Sequence, residues 1–170
     1  SYFSPGSLAQ AFRGAGFRVE QVEEAFEAQF LWAAGRPGAR SAERPAGPEP
    51  AALAEHVAAF GAHYAGRLAT WRERMADLAA SSRRVVVWGV GSKGVTFLNA
   101  LGPGAPIERV VDINPRKQGM YVAGTGQRIV TPEALREYRP DMVIIMNPAY
   151  REEIRRQTEA LGLDCEILAG

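Results

Sequence analysis

Val85-Val86-Val87-Trp88-Gly89-Val90-Gly91-Ser92-Lys93-Gly94 is the stretch whose reading decides the fold. Four consecutive apolar residues, mostly β-branched, suit a strand buried on both faces. A G-x-G-x-x-G follows without a gap and opens a helix that runs to Leu101. Ile107-Glu108-Arg109-Val110-Val111 is the next strand, and Asp112 stands at its end, 23 residues after Gly89. Strand, glycine turn, helix and acid in that order form the context of a dinucleotide-binding βαβ unit. Gly89 lets the chain turn sharply, Gly91 lets backbone amides approach a pyrophosphate, and Gly94 lets helix and strand pack closely. The helix N-terminus adds about half a positive charge where a phosphate sits. Asp112 can accept hydrogen bonds from a ribose diol. Small residues at such a turn also serve packing alone, and the motif does not say which nucleotide is held.

The alternation continues downstream. Thr131-Pro132 opens a short helix, Asp141-Met142-Val143-Ile144-Ile145-Met146 is a third strand, residues 150–161 form a helix closed by Gly162, and residues 164–168 form a last strand. Strands alternating with helices imply a parallel sheet with right-handed crossovers, an α/β domain of Rossmann-like type over residues 81–170. Its carboxyl edge gathers the candidate ligand residues. Ser92 and Lys93 lie in the glycine turn, and a lysine there adds a mobile cation beside the phosphate position. Only two of the 20 basic residues are lysines, Lys93 and Lys117. Where this chain merely needs positive charge it uses arginine, which raises the interest of both. Asn114 and Lys117 follow the second strand, although Asn-Pro is also ordinary turn chemistry. Residues 118–128, rich in glycine around Tyr121, read as an excursion over the same edge, with Tyr121 free to stack on a base or sugar. Asn147 and Tyr150 follow the third strand, where Asn147 either contacts a ligand or caps the next helix.

Upstream the pattern is different. Residues 1–34 read as a capped helix behind Ser4 and two strands around Phe17 and Phe30, too little to enclose a core. They look like the end of another domain. Residues 35–50 contain Pro37, Pro45, Pro48 and Pro50 and read as a linker. Over residues 51–80, Leu53, Val57, Phe60, Tyr64, Leu68, Trp71, Met75 and Leu78 recur at helical steps on one stripe. That stripe is expected to pack on the sheet and on the rest of the upstream domain; it also suits a homodimer through the long helix.

Composition narrows the classes. Lys+Arg 20 against Asp+Glu 19 leave a net charge of +1, far from the basic balance of a nucleic-acid binder. No apolar run approaches the roughly 18–20 residues of a membrane helix, and one cysteine, Cys165, excludes an internal disulfide. A cytoplasmic protein without nucleic-acid or membrane partners is the expectation. His56 and His63, seven apart, do not chelate on a straight helix, so no metal site is expected. No Ser/His/Asp set, paired carboxylates or reactive-cysteine context stands out.

Three segments carry a resemblance: residues 87–95, 111–122 and 145–150. In order and spacing they resemble the C-terminal domain of the S-adenosylmethionine-dependent sugar-nucleotide C-methyltransferases of branched deoxysugar biosynthesis. Ser1-Tyr2-Phe3-Ser4 and Ala15-Gly16-Phe17-Arg18-Val19 are similar to the end of the same family's methyltransferase domain, with its helix and closing hairpin. The resemblance implies an α/β Rossmann-like sheet with flanking helices, preceded by a long helix and a short α+β remnant. It implies that the glycine turn faces a nucleotide-diphosphate sugar. In the family a Glu-His pair just before the Ser-Tyr-Phe stretch supplies the general base, and that pair, the zinc cysteines and the S-adenosylmethionine motif are expected to lie outside these 170 residues. The segment is therefore expected to be a C-terminal fragment that positions the nucleotide sugar and does not transfer methyl groups or hold the cofactor alone. On this reading Gly89, Gly91, Ser92, Lys93 and Gly94 hold diphosphate, while Asp112, Asn114, Lys117, Tyr121, Asn147 and Tyr150 are candidates for nucleoside or sugar. Two readings from the residues alone stay beside it. One is an NAD(P)-binding oxidoreductase domain, which only 58 residues after Asp112 make hard to complete; the other is a non-enzymatic nucleotide-binding or dimerisation module. A glycine turn that keeps the fold without touching ligand is the remaining alternative.

Overall fold

The computed structural model describes residues 3–26, 29–39 and 50–170. Contacts divide the chain into two compact units, residues 1–60 and 61–170.

The first unit opens with helix α1 (Pro5–Gly14). Ser4 and Ser7 form a reciprocal cap: Ser7 N–H donates to Ser4 Oγ at 3.3 Å and Ser4 N–H donates to Ser7 Oγ at 2.9 Å. Pro5 sits at the first turn, where its missing N–H costs nothing. Strands β1 (Phe17–Ala25) and β2 (Phe30–Pro37) pair antiparallel, with an irregularity between Val19 and Gln21. The strand expected around Phe30 thus extends into the first residues assigned to the linker. Gly35 explains how: a side chain there would stand 2.9 Å from the Arg18 carbonyl oxygen, so glycine allows this close pairing. Arg36 reinforces it with an ion pair to Glu20 at 2.7 Å. The rest of the expected linker, residues 40–49, and Ser1-Tyr2 of the quoted motif lie outside the described residues.

Helix α2 (Pro50–Ala80) leads into the second unit, which holds strands β3 (Val85–Trp88), β4 (Ile107–Val111), β5 (Arg128–Val130), β6 (Met142–Ile145) and β7 (Glu166–Ala169). All pairings are parallel, in the order β5-β4-β3-β6-β7. Helices α3 (Ser92–Leu101), α4 (Leu135–Tyr138) and α5 (Arg151–Ala160) connect them. The chain moves from β3 to one side and then returns to the other at β6. The topological switch point, where open α/β sheets bind ligands, therefore lies between the carboxyl ends of β3 and β6.

Every residue of β3 and β6 is buried, as the unbroken apolar runs require of central strands. Val85, Val87 and Ile144 face Trp71, Met75 and Leu78 of α2 and Leu98 of α3. Val86, Trp88, Val143 and Ile145 face Leu135, Ile154 and Leu163. The parallel α/β architecture with flanking helices agrees with the expectation. Strand β5 was not expected: it is three residues long and only Ile129 is buried, too short to show periodicity.

The long stripe splits. Trp71, Met75 and Leu78 are buried, whereas Leu53, Val57, Phe60 and Tyr64 are exposed. Its second half follows the expected packing on the sheet. Met75→Ala should therefore lower unfolding free energy by about 2–5 kcal/mol, while Val57→Ala should stay within about 0.5 kcal/mol of wild type. Urea unfolding of the two variants checks this, and equal losses would contradict the split.

Candidate functional site

The glycine turn is built by backbone constraints. Gly89 has φ +102°, a conformation side chains resist, and its N–H donates to the Val111 carbonyl at 2.8 Å. Gly94 cannot carry a side chain either, because a Cβ would collide with the Gly89 carbonyl oxygen. Helix α3 thus approaches the end of β3 as closely as glycine allows. Gly91 is different: a Cβ there would meet nothing within 4 Å. It is the N-cap of α3, and no side chain caps the helix. Ser92 and Lys93 are exposed beside it.

Asp112 is 6% exposed and turned inward. Its carboxylate accepts from Val90 N–H at 3.0 Å, from Asn114 N–H at 2.9 Å and from Lys117 Nζ at 2.9 Å. Lys117 Nζ also donates to the Val90 carbonyl at 3.0 Å. Val90, in the middle of the glycine turn, is therefore tied through both its N–H and its carbonyl. Burial pushes the Asp112 carboxyl up, but the Lys117 ammonium and the N–H groups of Asn114 and Val90 outweigh it and hold the carboxyl below its usual value. The carboxylate expected to meet a ribose diol is engaged in shaping the turn instead. Gln118, absent from the expected set, adds a bond from Nε2 to the Asp112 carbonyl at 3.0 Å.

The remaining candidates separate. Asn114 Oδ1 accepts from Arg116 N–H at 3.0 Å, which is the turn role of an Asn-Pro step. Asn147 accepts from Ala149 N–H at 3.2 Å and caps the 3-10 turn Pro148–Tyr150. Tyr150 is exposed in that turn, one turn ahead of the regular helix expected to begin with it. These two follow β6 and so flank the switch point opposite the glycine turn. Tyr121 does not join them. It bridges antiparallel to Arg128 at the start of β5, so it lies beyond the outer strand, about three strand spacings (~14 Å) from β3. The excursion that carries it is fastened to α3, where Asn99 Nδ2 donates to the carbonyls of Val95 and Ala123. Asn99 had no local signal, because its partner lies 24 residues away.

Met146 forms the floor beside the turn. It packs under Gly89 and Gly94, and its methyl end fills the space a side chain on Gly170 would need. Among the described residues there is no group of His, Cys, Asp and Glu that suits a metal, and no helix is long and apolar enough to cross a membrane.

Residues 48–164 match the family described as the C-methyltransferase C-terminal domain. No curated protein matches the chain. Solved structures that resemble it include RSP, a Rex-family repressor, at 14% identity and a TM-score of 0.37, covering 52% of each chain. RSP in complex with β-NAD+ and operator DNA matches at 15% identity and a TM-score of 0.36, covering 52% of this chain and 49% of that one. The chain thus spans about half the length of these structures.

The inward cluster has a pH signature. A carboxyl held below its ordinary value of 3.8 stabilises the fold fully above that value, and this stabilisation is lost as pH falls through the lower folded-state pKa. Asp112→Asn should cost about 1–3 kcal/mol at neutral pH and flatten the acid limb of the stability profile below about pH 4. Superimposable acid-unfolding curves for the two proteins would remove the cluster from the stability of the turn.

Proposed function

The chain belongs to the C-methyltransferase C-terminal domain family, and from that premise we propose that it holds and positions a nucleotide-diphosphate sugar for an S-adenosylmethionine-dependent C-methyltransferase. One observation carries the reading. The glycine turn at the switch point has an uncapped helix N-terminus, and the nearby acid is neutralised by Lys117, so the turn keeps a positive field for a diphosphate.

In this account the amides behind Gly91 and the Lys93 ammonium take the diphosphate oxygens. Ser92 adds a hydroxyl donor. Asn147 and Tyr150, across the switch point, meet the nucleoside or sugar. The chemistry implied for the whole enzyme is proton removal beside a keto group, followed by methyl capture from S-adenosylmethionine by the enolate. The present residues contribute orientation, which lowers a barrier by holding the reacting carbon in place. They do not catalyse alone.

The cofactor itself is not assigned a place here. A ribose diol gripped at the end of the second strand needs open carboxylate acceptors, and Asp112 offers almost none, being buried and bonded to three donors. That weighs equally against adenosyl and nicotinamide cofactors, and hence against the oxidoreductase reading.

Calorimetric titration of the 170-residue chain with uridine- and thymidine-diphosphate glucose tests this. Wild type should bind at least one of them, Lys93→Ala should bind it about tenfold more weakly, and NAD should not bind. Micromolar NAD binding without sugar-nucleotide binding would reverse the assignment.

A further inference from the structure

The second half of α2 bears a basic groove that the glycine turn does not account for. His63, Arg67, Thr70 and Arg74 lie at successive helical steps and line it, with Trp71 at its base and Ala169 at the end of β7 as the opposite wall. It is an open groove of about 440 Å³, within the size range of small-ligand clefts. No acidic side chain lines it. Among the described residues neither Arg67 nor Arg74 has a carboxylate partner. Trp71 is fixed by an edge-on contact with Phe97, ring centroids 5.1 Å apart. The Arg74 guanidinium lies over the Trp71 ring, 5.5 Å from its centroid, so it is held ready without an anion. The Thr70 hydroxyl donates to the Gly66 carbonyl at 3.2 Å, which leaves its lone pairs and not its proton to the groove.

Met146 links the glycine turn to the chain end beside the groove. Met146 packs against Gly89 and Gly94 on one side, and its methyl end reaches Gly170, next to Ala169, on the other. Both openings lie at the carboxyl ends of parallel strands, with β7 two positions from β3, or about 10 Å. That is a distance one elongated phosphate ester spans.

We propose that this groove is a second oxyanion subsite, in which Arg67 and Arg74 grip phosphate oxygens across Met146 from the glycine turn. Its place in one continuous ligand path rests on the nucleotide-sugar reading above. The recognised chemistry is a phosphoryl group, either from the same sugar nucleotide or from a separate phosphate compound. Guanidinium is the right group for it, since its planar donors match two phosphate oxygens at once.

The test uses the full 170-residue chain and two probes, uridine diphosphate and inorganic pyrophosphate. Variants are Arg67→Gln, Arg74→Gln, Lys93→Ala and, as a charge control on the other face of the sheet, Arg136→Gln. Arg67→Gln should weaken a probe about tenfold, Arg74→Gln by a similar factor, and Arg136→Gln less than twofold. If the Arg67 and Lys93 variants both weaken uridine diphosphate, one ligand spans both sites and both readings hold. Loss of pyrophosphate alone in the Arg67 variant supports a groove that takes a separate phosphate compound. Sensitivity to Lys93 but not to Arg67 or Arg74 overturns the groove and leaves the glycine-turn reading standing. Absence of binding by either probe to wild type overturns both.

Discussion

The ion pair between Asp112 and Lys117 is the interaction on which the functional edge depends. It is local in sequence, five residues apart, yet its work is done on a different element. By accepting Val90 N–H and placing the lysine on the Val90 carbonyl, the pair fixes the two successive peptide units that flank Val90 in the middle of the glycine turn. The steric limits at Gly89 and Gly94 fix the turn's two ends. Between them, the backbone has little freedom left, and a rigid ring of amides suits an anion because nothing must reorganise on binding. The same pair changes what the acid is for. A carboxylate in this position ordinarily reads a ribose; here a lysine has converted it into a brace.

Much of this was legible in the sequence. The buried runs of β3 and β6 announce themselves because a strand covered on both faces needs no polar positions, and their order fixes the parallel sheet. The glycine turn was legible for a similar reason: Gly89 and Gly94 answer steric demands that no other residue meets. What escaped has a physical pattern too. Asn99 and Gln118 act through bonds from side chain to backbone whose partners are set by tertiary placement. Strand β5 is too short for alternation to emerge, and its pairing with β4 is what defines it. The orientation of Asp112 depends on a lysine that loops back to it, and spacing alone says nothing about that return. Tyr121 is exposed, but the glycine-rich excursion that carries it, which looks mobile in sequence, is a hairpin pinned to α3.

Helix α2 shows how one periodic stripe can serve two surroundings. From Trp71 onward its apolar positions meet the sheet, and the groove residues occupy the flank beside them. Before that point Leu53, Val57, Phe60 and Tyr64 are exposed, Val57 at 63%, and Leu68 is half-buried. Periodicity reports which side chains share a face; it does not report where along a helix the covering layer ends.

Arginine supplies nearly all the positive charge of this protein, so its two lysines stand out chemically as well as structurally. Lys93 lies in the turn and Lys117 beneath it, which means that every side-chain amine in the sequence belongs to one small region. An amine-acylating reagent has no other side-chain amine to meet in this sequence. The candidate edge thus carries its own chemical address, one through which a spectroscopic label can be delivered without engineering a single residue.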